Sequence, residues 1–65
     1  MKEYIILPHT KGWCIALKKS KKCSFVFKTV RGAEIKANYL LKKYNNTVIY
    51  ITDYNGRIID SVSNK

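Results

Sequence analysis

Residues 13–29 read Trp-Cys-Ile-Ala-Leu-Lys-Lys-Ser-Lys-Lys-Cys-Ser-Phe-Val-Phe-Lys-Thr, and the fold turns on how that stretch is parsed. Trp13, Ile15 and Leu17 alternate with Cys14 and Ala16, the period of two that marks a half-buried strand. Cys23, Phe25 and Phe27 repeat the alternation after a polar turn over Lys18 to Lys22. Centring that turn on Ser20 pairs Leu17 with Cys23, Ile15 with Phe25 and Trp13 with Phe27. Both apolar sets then share one face, as a hairpin with one buried side requires. At Thr29, a good N-cap, the period changes. Val30, Ala33, Ala37, Leu40, Leu41 and Tyr44 fall on a single helical stripe.

The flanks complete the pattern. Tyr4 to Leu7 reads as a first strand that Pro8 ends before a turn over His9 to Gly12. Asn45-Asn46 closes the helix, and Thr47 to Thr52 is strongly β-prone with Ile49 and Ile51 inward. Asp53 to Gly56 carries Asn-Gly, the strongest short hairpin signal. Arg57 to Val62 returns as a last strand, and Ser63 to Lys65 is expected to fray. The expected fold is α+β: an antiparallel meander of three strands, one helix on one sheet face, then one or two strands (β-β-β-α-β-β). Residues 1–65 make one small basic domain with frayed ends, too short for a second.

Several of these residues carry a family resemblance. Pro8-His9, Gly12-Trp13 with Ile15, Phe27-Lys28-Thr29 opening a helix with Ala33 and Ala37, then Ile49, Ile51 and Asn55-Gly56-Arg57-Ile58 form the series. It resembles the small bacterial family catalogued as domain of unknown function 2188, over about residues 5 to 60. Val30-Arg31-Gly32 departs from that family's usual first helical turn, and Asn55 stands where it usually has Asp. The resemblance implies a bacterial protein of this architecture and brings no activity, cofactor or catalytic residue.

Composition narrows the function classes. Thirteen Lys/Arg face four Asp/Glu, a formal charge of +9, while 46% of residues are hydrophobic. That is too apolar for a disordered basic tail. No apolar run is long enough to span a bilayer, and no signal-peptide pattern stands at the start. Lys, Ile, Asn and Tyr are all abundant and all encoded by AT-rich codons, which alone would raise the lysine content. Codon bias does not explain why only four acids remain, so a functional basic surface is the preferred reading.

Catalytic chemistry finds no constellation. His9 is the sole histidine and reads as a turn or capping residue, with neither a nucleophile nor further metal ligands at a suitable spacing. Glu3, Glu34, Asp53 and Asp60 are scattered, the last two flanking a turn they would cap. No catalytic residue, metal site, cofactor or small-molecule substrate is expected. Cys14 and Cys23 fall on opposite faces in the register above, with Val26 across from Cys14. Two reduced thiols, a cytoplasmic location and a thermal stability indifferent to reductant are therefore expected. Trp13 belongs in the core. Tyr4, Tyr50 and Tyr54 are better candidates for stacking on bases.

The lysines form the one informative cluster. In this topology the Lys18 to Lys22 turn, the helix end at Lys42-Lys43 and the start of the first strand at Lys2 lie at one pole. Lys2, Lys18, Lys19, Lys21, Lys22, Lys42 and Lys43 would share it. Phosphate backbones reward such clustering through counterion release. Arg31 and Arg57 alone can fork onto a guanine, so sequence reading would be weak. The leading expectation is a non-enzymatic nucleic-acid-binding module, for DNA or RNA, contacting the phosphate backbone through that pole. The alternative is a protein-interaction or self-associating module, such as a homodimer, built on the free sheet face or an edge strand. Membrane binding is not expected, because no exposed amphipathic helix accompanies the charge.

Overall fold

The computed structural model describes residues 2–20 and 22–64, so Met1, Lys21 and Lys65 lie outside it. Its elements run β1 (Lys2–His9), β2 (Gly12–Leu17), β3 (Cys23–Phe27), α1 (Val30–Lys43), β4 (Thr47–Thr52) and β5 (Ile58–Ser63). The α+β architecture is the expected one. The five strands form one mixed sheet in the order β3-β2-β1-β4-β5. β1 is central, antiparallel to β2 and parallel to β4. Helix α1 is thus the crossover that carries the chain past β2 and β1, which local periodicity does not specify.

The helix forms where its cap and stripe place it. The Thr29 hydroxyl accepts the Gly32 amide at 3.2 Å, satisfying one of the unpaired donors of the first turn. Ala33, Ala37 and Leu40 pack on Ile6, Trp13, Ile15 and Ile49, with Tyr4, Phe27, Val30, Leu41, Tyr44 and Ile51 around them. A Cβ on Gly32 would stand 3.3 Å from the Phe27 side chain, so glycine lets the first turn close onto β3.

Two boundaries differ from the sequence reading. Pro8 does not end β1, which runs on to His9 and pairs Pro8 with Trp13 and His9 with Gly12. The parallel ladder to β4 stops at Ile6 and Ile51, so beyond it one side of β1 is an edge where a missing amide costs nothing. The Thr52 hydroxyl donates to the Ile6 carbonyl at 2.6 Å just past the last rung. At the C-terminus, Ser63 is in β5 and Asn64 is tied down rather than frayed. Its amide donates to the Thr47 carbonyl, its Oδ1 accepts the Thr47 amide, and its Nδ2 donates to the carbonyls of Leu41 and Tyr44. Asn64 therefore staples β5, β4 and the end of α1 together.

The β2–β3 pairing brings the largest correction. Trp13 faces Phe27, Cys14 faces Val26 and Ile15 faces Phe25, as expected, but a bulge after Ile15 sets Cys23 opposite Ala16 instead of Leu17. One extra residue on β3 moves Cys23 to the opposite face of the sheet. There it meets Cys14, with 5.6 Å between the Cα atoms, and the two form a disulfide. Neither cysteine is free, contrary to the expectation of reduced thiols. The bond lies on the face that α1 does not cover, where Cys14 and Ala16 are fully buried.

Gly12 closes the β1–β2 turn at φ +136°, where a Cβ would collide with the carbonyls of Phe27 and Lys28. Gly12→Ala should lower the unfolding free energy by about 3 kcal/mol, combining left-handed strain with a backbone clash. Urea denaturation checks this, and a loss below about 1 kcal/mol would contradict the geometry.

Candidate nucleic-acid interface

The start of β1, the end of β2, the start of β3, the end of α1 and the start of β4 all lie at one end of the sheet. That end carries Lys2, Lys18, Lys19, Lys22, Lys42 and Lys43; Lys21 falls outside the described residues. Lys2 and Lys19 line one shallow recess together with Glu3 and Leu17. The Lys2 ammonium stands 3.5 Å from the centre of the Tyr44 ring, and Lys43 reaches the same ring at 5.5 Å. Lys2 and Lys43 thus converge on one aromatic side chain.

The only acid among the described residues of this end is Glu3, and it is occupied. Its Oε2 accepts the Tyr50 hydroxyl at 3.0 Å and lies 3.8 Å from the Lys18 ammonium, which also stands 4.4 Å from the Tyr50 ring centre. Lys18 is therefore partly neutralised in place. Lys19, Lys22, Lys42 and Lys43 are exposed. Lys42 and Lys43 also sit in the last helical turn, where the helix dipole favours positive charge. Coulombic attraction to Tyr39 and then Tyr44, in their ionised forms, raises the Lys43 pKa above the ordinary lysine value.

Arg31 and Arg57 do not join this end. Arg31 lies in the first turn of α1, and Arg57 follows the β4–β5 turn, where its amide donates to Asp53 Oδ1 at 3.0 Å. A six-residue strand, about 20 Å long, separates them from the lysines. His9 is the turn residue its context suggests, its Nδ1 accepting the Lys11 amide at 3.0 Å. Asp53 receives the amides of Asn55 and Arg57, and Asp60 that of Ser61.

The aromatic candidates are redistributed. Trp13 is buried, with Tyr54 against it at 5.3 Å between ring centroids. Tyr50 is held by Glu3, and Tyr4 packs against the core. Tyr54 is the open ring expected of it, 83% exposed, but it sits in the β4–β5 turn at the far end. Near the lysines the open rings belong to Phe25 and Tyr39, which are 43% and 51% exposed. The Lys36 ammonium stands 4.3 Å from the Phe25 ring centre and 4.5 Å from that of Tyr39. Lys36, Tyr39 and Lys43 recur at helical spacing beside the apolar stripe, a signal present in the sequence but outside the stripe that defined the core.

No family model matches the chain, and neither the curated proteins nor the solved structures yield a match. The resemblance to the 2188 family accordingly rests on its short motifs alone. Among the described residues no helix is long and apolar enough to cross a membrane.

Proposed function

We propose that the protein is a non-enzymatic nucleic-acid-binding module that grips the phosphate backbone through its lysine end with little sequence preference. The supporting observation is that Lys2 and Lys19 share one recess, Lys2 and Lys43 share the Tyr44 ring, and Lys22 and Lys42 stand exposed at the same end. Glu3 is the one acid there among the described residues and is already paired. With both arginines at the far end, guanine-reading forks are absent from this contact surface. Fluorescence anisotropy of a labelled oligonucleotide over a salt series tests the reading. Engaging about four to six phosphates predicts a log K against log salt slope of about −4 to −5 on duplex DNA. Affinity then drops at least a hundredfold between about 50 and 200 mM salt. No binding at micromolar protein and about 50 mM salt would overturn it.

Self-association is a second reading with its own observation. β5 is exposed along its whole length, and Ile58, Ile59 and Val62 are 49%, 64% and 40% exposed. An edge of this kind suits pairing with a second copy. Sedimentation over a range of concentrations decides it, a monomer throughout ruling it out.

We also propose a bacterial protein; the cytoplasmic placement expected from reduced thiols loses that support, because the Cys14–Cys23 disulfide favours an oxidising compartment. Protein alkylated directly in cells tests this: an oxidised pool labels at neither cysteine, whereas labelling at both would restore the cytoplasmic reading.

A further inference from the structure

Between the C-terminal half of α1 and the start of β3 runs an open groove of about 340 Å³. Its walls are Leu17 and Phe25 from the strands and Tyr39 and Tyr44 from the helix, with Lys36 and Lys43 on the rim. The volume is that of a small ligand site. Its chemistry is unusual for a surface left to solvent. Leu17, Phe25 and Tyr39 are each between 43% and 51% exposed, so apolar surface faces outward beside the lysine end. Lysine ammoniums lie over the rings of Phe25, Tyr39 and Tyr44, each within 5.7 Å of a centroid. Such exposed cation–ring contacts are individually weak, and a flexible lysine leaves the ring readily for a phosphate.

We infer that this groove receives unpaired nucleobases, so that the lysine end selects single-stranded over double-stranded nucleic acid. This rests on the backbone-binding reading above and specifies its ligand. A strand lying along Lys43 and Lys36 brings its bases against the Tyr39 and Phe25 faces, and stacking there is tolerant of sequence because every base has a π-face. A duplex keeps its bases stacked internally and offers the groove only phosphates. The neighbouring lysines serve both ligands, whereas the rings serve one.

The test compares three probes of equal length by anisotropy: a single strand, a duplex, and a single strand whose sugars carry no bases. Wild-type protein should bind the ordinary single strand about 5- to 150-fold more tightly than the abasic one, the range set by one stacked base. Tyr39→Leu, which keeps apolar bulk on an exposed helical position, should remove most of that advantage, read as the ratio of ordinary to abasic affinity so that any general loss of phosphate binding cancels. On wild-type protein, the ring protons of Tyr39 and Phe25 should shift when the ordinary strand is added and stay still with the abasic one. Equal affinity for the ordinary and abasic strands, or an unaffected Tyr39→Leu variant, would overturn the groove while leaving the lysine end intact. Failure of all three probes to bind would remove both.

Discussion

Adding a reductant should lower the melting temperature by roughly 10–20 °C. The Cys14–Cys23 bond closes a short loop, with a sequence separation of 9. Constraining a loop of that size in the unfolded chain is worth about 2.5 kcal/mol on the chain-entropy account. For a domain of this length each kcal/mol moves the midpoint by about 4–8 °C. The effect is large because the core is thin. A 65-residue chain buries too little apolar surface to be stable by a wide margin, and small domains commonly need a staple. The double variant Cys14→Ala, Cys23→Ala should show the lowered midpoint without reductant and no further loss with it. An unchanged midpoint in reduced wild-type protein would mean that the bulge is wrong and that Cys23 lies opposite Leu17 after all.

The second large effect concerns where charge is reversed, not how much. Lys19→Glu, Lys22→Glu and Lys42→Glu together change the net charge by −6 at exposed positions of the lysine end. Lys11→Glu, Arg31→Glu and Arg57→Glu change it by the same amount at exposed positions of the other. Non-specific attraction to the whole molecule predicts equal losses. A located interface predicts that the first triple variant loses at least a hundredfold in affinity at low salt, with a slope shallower by about three phosphates. The second should lose no more than a few-fold through the long-range field. Both should fold, because none of the six side chains contributes to the core. Equal losses in the two variants would remove the localisation.

Much of this architecture was legible because local signals agreed with one another. Thr29, the apolar stripe and Asn45-Asn46 bracket the helix. The β-branched run Thr47 to Thr52 marks β4 residue for residue, and Asn55-Gly56 marks the last turn. What escaped was non-local or neutral to the pattern. Cys23 is small and apolar enough for either face, and Ser24 makes no objection to an unpaired position, so the bulge left no mark in the alternation. The error spread from there: with Cys23 on the wrong face, the disulfide looked geometrically impossible. Pro8 reads locally as a terminator, because nothing near it in sequence shows that β4 stops short of it. The parallel pairing of β1 with β4 depends on where α1 lands, which no single element encodes.

The candidate site divides in the same way. The lysines could be gathered from topology alone, since strand and helix ends follow from element order. The guanidinium chemistry of Arg31 and Arg57 suits base reading, but the fold puts both at the end opposite the lysines. The phase of Phe25 with Phe27 points it to the core face, yet it sits on the edge strand beyond the reach of full cover by α1. Its exposure is a consequence of sheet order, and sheet order was the missing information. Tyr39 and Lys36 lay just off the stripe that defined the buried face.

An amide-detected NMR titration with a short single-stranded oligonucleotide at about 50 mM salt is the most direct test of the lysine end as the binding surface. Shifts should concentrate at Lys2, Lys18, Lys19, Lys22, Lys42 and Lys43, spread to Lys36 and Tyr39, and fade as salt is raised. Shifts centred instead on Gly12, Arg31 and Arg57, or no shifts at all, would contradict it.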